Sequence, residues 1–149
     1  LNREISTEAI ANLEKRLRYI SGMIKQNGRQ ILNNYPITSP QFIALQFLIE
    51  GDLTIGELSN KNGLAFSTTT DLVDRLEKNK LVERVKDTND RRVVRIHVLP
   101  KGRTIIEEVI EKRQEYLGGV LKNFSKDQTE SLNEMLAFLY EEMQHINHT

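Results

Sequence analysis

Apolar residues recur at helical spacing along most of this chain and switch to strict alternation in one place. The first stripe is Ile10, Leu13, Leu17, Ile20, Ile24, Ile31 and Leu32, with Ser6 or Thr7 available as its cap. Gly22 and Gly28 fall inside it and leave room for a bend or an early stop. Tyr35-Pro36 breaks the pattern, because proline drives the residue before it out of the helical region. Ser39-Pro40 reads as a cap followed by proline in the first helical position. The helix it opens carries Phe42, Ile43, Leu45, Phe47, Leu48 and Ile49, and Gly51 lies just past its end.

Thr54 and Glu57 have the spacing of a capping box and start a short helix to about Lys61. Asn62-Gly63 is a turn, and a second short helix runs from about Ser67 to Lys78. The alternation follows, over residues Asp87 to Gly102. Two half-buried runs flank a tip at which Thr88-Asn89-Asp90 supplies turn chemistry and Asp90, Arg91 and Arg92 crowd together. Pro100 then opens a long helix with Ile105, Ile106, Val109, Ile110, Leu117, Val120 and Leu121, weakened at Gly118-Gly119. A second capping box, Ser125 and Gln128, precedes a last stripe of Leu132, Met135, Leu136, Leu139, Tyr140 and Met143. Two helices across a tight turn followed by a basic hairpin predict a mainly α fold with a small β-hairpin wing, a winged helix-turn-helix.

Charge sharpens this picture. The 149 residues fit one domain and are formally neutral, with 21 basic and 21 acidic side chains. Their distribution is uneven. Residues 1–74 carry 7 basic and 8 acidic groups, residues 75–103 carry 10 and 4, and residues 104–149 carry 4 and 9. Attraction to phosphate acts over a Debye length, roughly 8–10 Å in ordinary salt. A segment at +6 can therefore bind nucleic acid within a neutral chain. There is no cysteine, which excludes disulfides, thiol switches and thiolate metal sites. No apolar run is long enough to span a bilayer and no leader pattern is evident, so no membrane partner and a cytoplasmic location are expected.

On the second short helix, Thr69, Leu72, Val73 and Leu76 share a core-facing side. Ser67, Thr70, Asp71 and Asp74 lie opposite, flanked by Thr68 and Arg75. Hydroxyls near a helix amino terminus suit phosphates and base edges, and Arg75 has the reach for a phosphate or guanine. Asp71 can accept from a cytosine amino group, whereas Asp74 is expected to pair with Arg75 or Arg84.

Several segments together resemble the MarR-type winged-helix transcription regulators. Thr38-Ser39-Pro40-Gln41-Phe42 with Leu45 and Leu48 is similar to the opening of that family's second helix, and Thr54-Ile55-Gly56-Glu57-Leu58 to its third. Thr70 with Leu72-Val73-Asp74-Arg75-Leu76-Glu77 and Leu81-Val82 resembles its recognition helix and exit. Asp90-Arg91-Arg92 with Val94, Ile96, Val98 and Gly102 resembles its wing.

The resemblance implies one domain over 1–149, with dimerisation helices in 1–35 and 104–149 and a DNA-binding core in 38–102. It implies a homodimer on a pseudo-palindromic duplex operator, repressing and released by a small phenolic or amphipathic effector, without a cofactor. The recognition-helix residues would be Ser67, Thr68, Thr70, Asp71 and Arg75; the wing residues would be Arg84, Asp90, Arg91 and Arg92. Arg92 would enter the minor groove with Asp90 holding it, and Arg84 would brace the wing or touch phosphate. The chain departs from the pattern at Leu99, in place of a threonine cap, at Asp71, and at Lys80, in place of a glycine. With Lys80 there, Asn79 is the expected left-handed residue.

The alternative is a winged helix used for protein contacts alone, against which the two arginines at the tip speak. No nucleophile–base pair, phosphate loop or paired-carboxylate site is present, so an enzyme is not expected. His97 reads as an exposed strand residue, and His145 and His148 as part of a solvated end rather than a metal site.

Overall fold

The computed structural model describes residues 4–148. In chain order it contains α1 (Thr7–Leu32), α2 (Ser39–Ile49), α3 (Ile55–Asn62), α4 (Phe66–Lys78), β1 (Val82–Lys86), β2 (Val94–Val98), α5 (Pro100–Val120) and α6 (Lys126–Asn147). The expected mainly α fold with a hairpin wing is the observed one. The chain divides into two compact units, one ending at Arg113 and the other starting at Gln114. No helix among the described residues is long and apolar enough to cross a membrane.

In the first unit the core gathers one face from each element. Phe42, Leu45 and Leu48 of α2 pack with Leu58 of α3 and with Val73 and Leu76 of α4. The hairpin contributes Val82, Ile96 and Val98, and α5 contributes Ile105, Ile106 and Val109. Each such side chain stabilises the fold by about 1.5–3 kcal/mol through removal from water. The strands pair antiparallel with Val82 opposite Val98 and Arg84 opposite Ile96. On the other edge of β2, the Ile96 amide donates to the Leu53 carbonyl at 2.7 Å, which ties the wing to the segment before α3. At Gly102 a Cβ would lie 2.5 Å from the Leu81 carbonyl oxygen, so only glycine lets α5 start this close to the hairpin.

Local structure departs from the sequence reading at four places. Thr38, not Ser39, caps α2: its hydroxyl accepts from the Gln41 amide while the Gln41 side chain accepts from the Thr38 amide. Gly22 and Gly28 do not stop α1, which runs unbroken to Leu32. His97 is half-buried rather than exposed, with Nδ1 2.9 Å from Asp52 Oδ1.

The fourth departure is the left-handed residue after α4, which is Lys80 at φ 61° and not Asn79. The Leu81 amide donates to the Leu76 carbonyl and the Lys80 amide to Glu77, the two bonds of a Schellman motif. Leu76 and Leu81 are both buried, and this apolar contact sets the position of the left-handed turn whatever residue occupies it. Lys80→Gly should therefore stabilise the chain by about 0.5–1 kcal/mol, the ~1–2 kcal/mol left-handed penalty being partly offset by glycine's ~0.5–1 kcal/mol backbone entropy. Thermal unfolding checks this, and a midpoint that stays put or falls would contradict it.

The second unit holds the end of α5, a 3₁₀ turn at Leu121–Asn123 and α6. The Ser125 and Gln128 capping box opens α6 as expected. Leu132, Leu136, Leu139 and Met143 of α6 are exposed in the single chain.

Candidate nucleic-acid interface

The turn between α3 and α4 is built from short-range bonds. Gly63 takes the left-handed conformation at φ 71° and its amide donates to the Ser59 carbonyl. The Ser59 hydroxyl donates to the Leu64 carbonyl at 2.6 Å, and the Leu64 amide donates to Asn62 Oδ1 at 2.9 Å. This fixes the entry to α4. Thr69, Val73 and Leu76 are buried and Leu72 is half-buried, which turns Ser67, Thr68, Asp71 and Arg75 outward. Thr70 is half-buried and donates its hydroxyl proton back to the Phe66 carbonyl at 3.0 Å.

Arg84 follows Val82 by two positions on β1 and so shares its inward face. A cation there needs partners, and α4 supplies two. Nη1 lies 2.6 Å from Glu77 Oε1 and Nη2 2.6 Å from Asp74 Oδ1, while the Arg84 amide also donates to Glu77 Oε2. Asp74 and Glu77, three apart on one helical face, thus grip a single guanidinium.

At the tip, Asp90 receives Arg92 through both carboxylate oxygens, from Nε at 3.1 Å and Nη2 at 3.2 Å, and also accepts from the Arg92 amide. The guanidinium bonds hold the Asp90 carboxyl below the usual carboxylate range, so it is charged at neutral pH. The Arg92 side chain is nevertheless 91% exposed, and Arg91 beside it is exposed too. Asp87 Oδ2 accepts from the Asp90 amide, and Asp87 also faces Arg95, whose Nη1 reaches Glu57 of α3 at 3.3 Å. Bonds from the Thr54 backbone amide, from its hydroxyl and from Arg95 lower the Glu57 pKa.

Arg95 and His97, two apart on β2, thus tie the wing to Glu57 and Asp52. Sequence reasoning missed both pairings. Alternation places the two side chains on one strand face, but their partners are 38 and 45 residues away. It also passed over Phe66, the exposed first residue of α4. Among the predicted residues, Asp90 meets Arg92 and Arg84 meets α4, whereas no bond joins the tip to Ser67, Thr68 or Arg75 among the described residues.

Elsewhere in the first unit, a cleft of about 430 Å³ lies between α1 and α2, walled by Ile24, Gly28, Leu32, Phe42 and Ile43. Arg113 closes one side with its guanidinium carbon 5.0 Å from the Phe42 ring centre. Among the described residues, no group of three or more histidine, cysteine, aspartate or glutamate side chains is placed to hold a metal.

A tight helix-turn-helix, an outward face of hydroxyls and a basic hairpin tip define a winged helix-turn-helix protein. The chain belongs to the MarR family, whose model matches residues 37–94. It is 58% identical over 137 residues to the HTH-type transcriptional regulator YsmB of Bacillus subtilis (strain 168), spanning 91% of this chain and 94% of that protein. A MarR family protein structure from Bacillus stearothermophilus superposes with a TM-score of 0.89 at 57% identity, covering 95% of this chain and 99% of the other. The transcriptional regulator Tm0710 of Thermotoga maritima gives 0.77 at 34% identity, over 93% and 99%. Membership places the chain among transcription regulators of the helix-turn-helix type.

Proposed function

We propose that the protein is a cytoplasmic homodimer that represses transcription by binding a pseudo-palindromic duplex, and that a small phenolic or amphipathic molecule releases it. The observation that carries this reading is the Asp90–Arg92 fork, a cation oriented by two bonds yet almost wholly exposed at the end of a hairpin. Such a group has lost part of its rotamer freedom before any partner arrives, which reduces the entropy cost of binding. Arg92 enters the minor groove while Ser67, Thr68, Thr70, Asp71 and Arg75 face the major groove. Arg91 contacts phosphate, and Arg84 holds the two elements in register.

Dimerisation is supported by apolar stripes that one chain leaves wet. Ile10, Leu13, Leu17, Ile20 and Ile24 of α1 are 44–58% exposed, and the α6 stripe is exposed as well. A two-fold pair presents two reading heads to half-sites about one helical turn, roughly 34–36 Å, apart. The cleft beside Phe42 offers apolar walls together with the cations Lys25, Arg29 and Arg113, which suits an amphipathic ligand. A ligand there acts by binding more tightly to the conformer whose spacing does not match DNA.

Selection from a random duplex library, with sedimentation equilibrium of the same preparation, tests this reading. The expected result is a dimer at micromolar concentration and enrichment of an inverted repeat. A monomer, or a library with no enriched sequence, would overturn it.

A further inference from the structure

We infer that Phe66 is a specificity-determining residue that reads the C5-methyl group of a thymine in each half-site. The inference rests on the DNA-binding reading above. Phe66 is the first residue of α4 and is 61% exposed, within a run from Leu64 to Thr68 in which every residue is exposed. Among the described residues, Phe66 is not part of the buried core. The core side of α4 is filled by Thr69, Val73 and Leu76, and the Phe66 backbone carbonyl, not its ring, accepts the Thr70 hydroxyl. A solvated phenyl contributes little burial stabilisation to the isolated chain, because most of its apolar surface remains in water.

The same end of the helix lacks another ordinary stabilising feature. Ala65 occupies the cap position and makes no side-chain bond, whereas α1, α2, α3 and α6 are all capped by a hydroxyl. Residues 66–68 at the start of α4 are thus exposed, and no side chain caps them.

Its position indicates the partner. In a helix-turn-helix protein the amino-terminal residues of the second helix reach the base edges in the major groove. A phenyl ring has no donor or acceptor for those edges. The apolar group they present is the thymine methyl, and apolar contact with it is a direct means of telling thymine from cytosine. Ser67 and Thr68, the next two residues, carry the hydroxyls that can bond a neighbouring base or phosphate. Phe66 therefore adds a methyl-sensitive position beside hydrogen-bonded ones. Burying one methyl changes affinity about fourfold, and two half-sites about fifteenfold.

The test uses the full chain and the duplex enriched from the random library. Each thymine is replaced in turn by uracil, which removes the methyl and nothing else, and affinities are measured for wild type, Phe66→Ala and Phe66→Leu. Circular dichroism confirms that the variants are folded. At one thymine per half-site, wild type should lose about fourfold on replacement and Phe66→Ala nothing, with Phe66→Leu in between. Equal sensitivity of wild type and Phe66→Ala at every thymine, or none at any, overturns the inference and leaves the regulator reading intact. A library with no enriched duplex overturns both.

Discussion

Replacing Arg92 by alanine should weaken binding to the selected duplex by roughly 30- to 150-fold, at about 1–1.5 kcal/mol for each of two wings. The dependence of affinity on salt should become shallower at the same time. Each cation withdrawn from the DNA leaves about 0.9 counterion unreleased, so a dimer loses about 1.8 from the slope of log K against log salt. The unfolding midpoint should not move, because the Asp90–Arg92 pair lies at the surface and contributes little to stability. Asp90→Ala separates orientation from charge. It removes an anion from the DNA-facing tip, so simple electrostatics predicts tighter binding. Loss of the bidentate fork predicts weaker binding with the salt slope preserved, and that is the expected result. Tighter binding by Asp90→Ala would mean that the fork plays no part in positioning Arg92.

Arg84→Met should produce the opposite signature. Its guanidinium is engaged by Asp74 and Glu77 and is not free for phosphate, so the salt slope should hardly change. Stability should fall by about 1–2 kcal/mol, toward the low end of the cost of stranding charged partners, because the group is only partly buried. That corresponds to a midpoint lowered by roughly 2–8 °C. Affinity should drop as well, since two carboxylates on α4 lose their counter-charge and the wing loses its tie to the helix. Adding Asp74→Asn and Glu77→Gln to Arg84→Met should recover part of both losses, the coupling that a mutant cycle isolates. An unchanged midpoint with a shallower salt slope would instead assign Arg84 to phosphate contact.

The parts of the fold legible in the sequence are those set by neighbours in the chain. The capping boxes at Thr54 and Ser125, the stripes of the long helices and the alternation around Ile96 all follow from spacings of two to four residues. Adjacent candidates were harder. Thr38 and Ser39 are both good caps, and the reciprocal bond from Gln41 selects the first. Intrinsic preference favours asparagine in a left-handed position and so points to Asn79, whereas burial of Leu76 and Leu81 fixes the turn at Lys80. Gly22 and Gly28 together cost about 2 kcal/mol in a helix, too little to interrupt one of this length. The pairings of Arg95 with Glu57 and of His97 with Asp52 depend on tertiary proximity, which no local pattern encodes. Phe66 is not legible as a surface residue from sequence, because an apolar residue at the start of a helix resembles an ordinary core position until its exposure is known.

Fluorescence anisotropy of the full chain, on the selected duplex and on a scrambled duplex of the same composition at two salt concentrations, tests the central claim most directly. The account predicts a preference for the selected duplex of about 10³-fold or more, with affinity for both falling steeply as salt rises. Equal, weak binding to the two duplexes would contradict it and would make the winged helix a surface for protein rather than DNA.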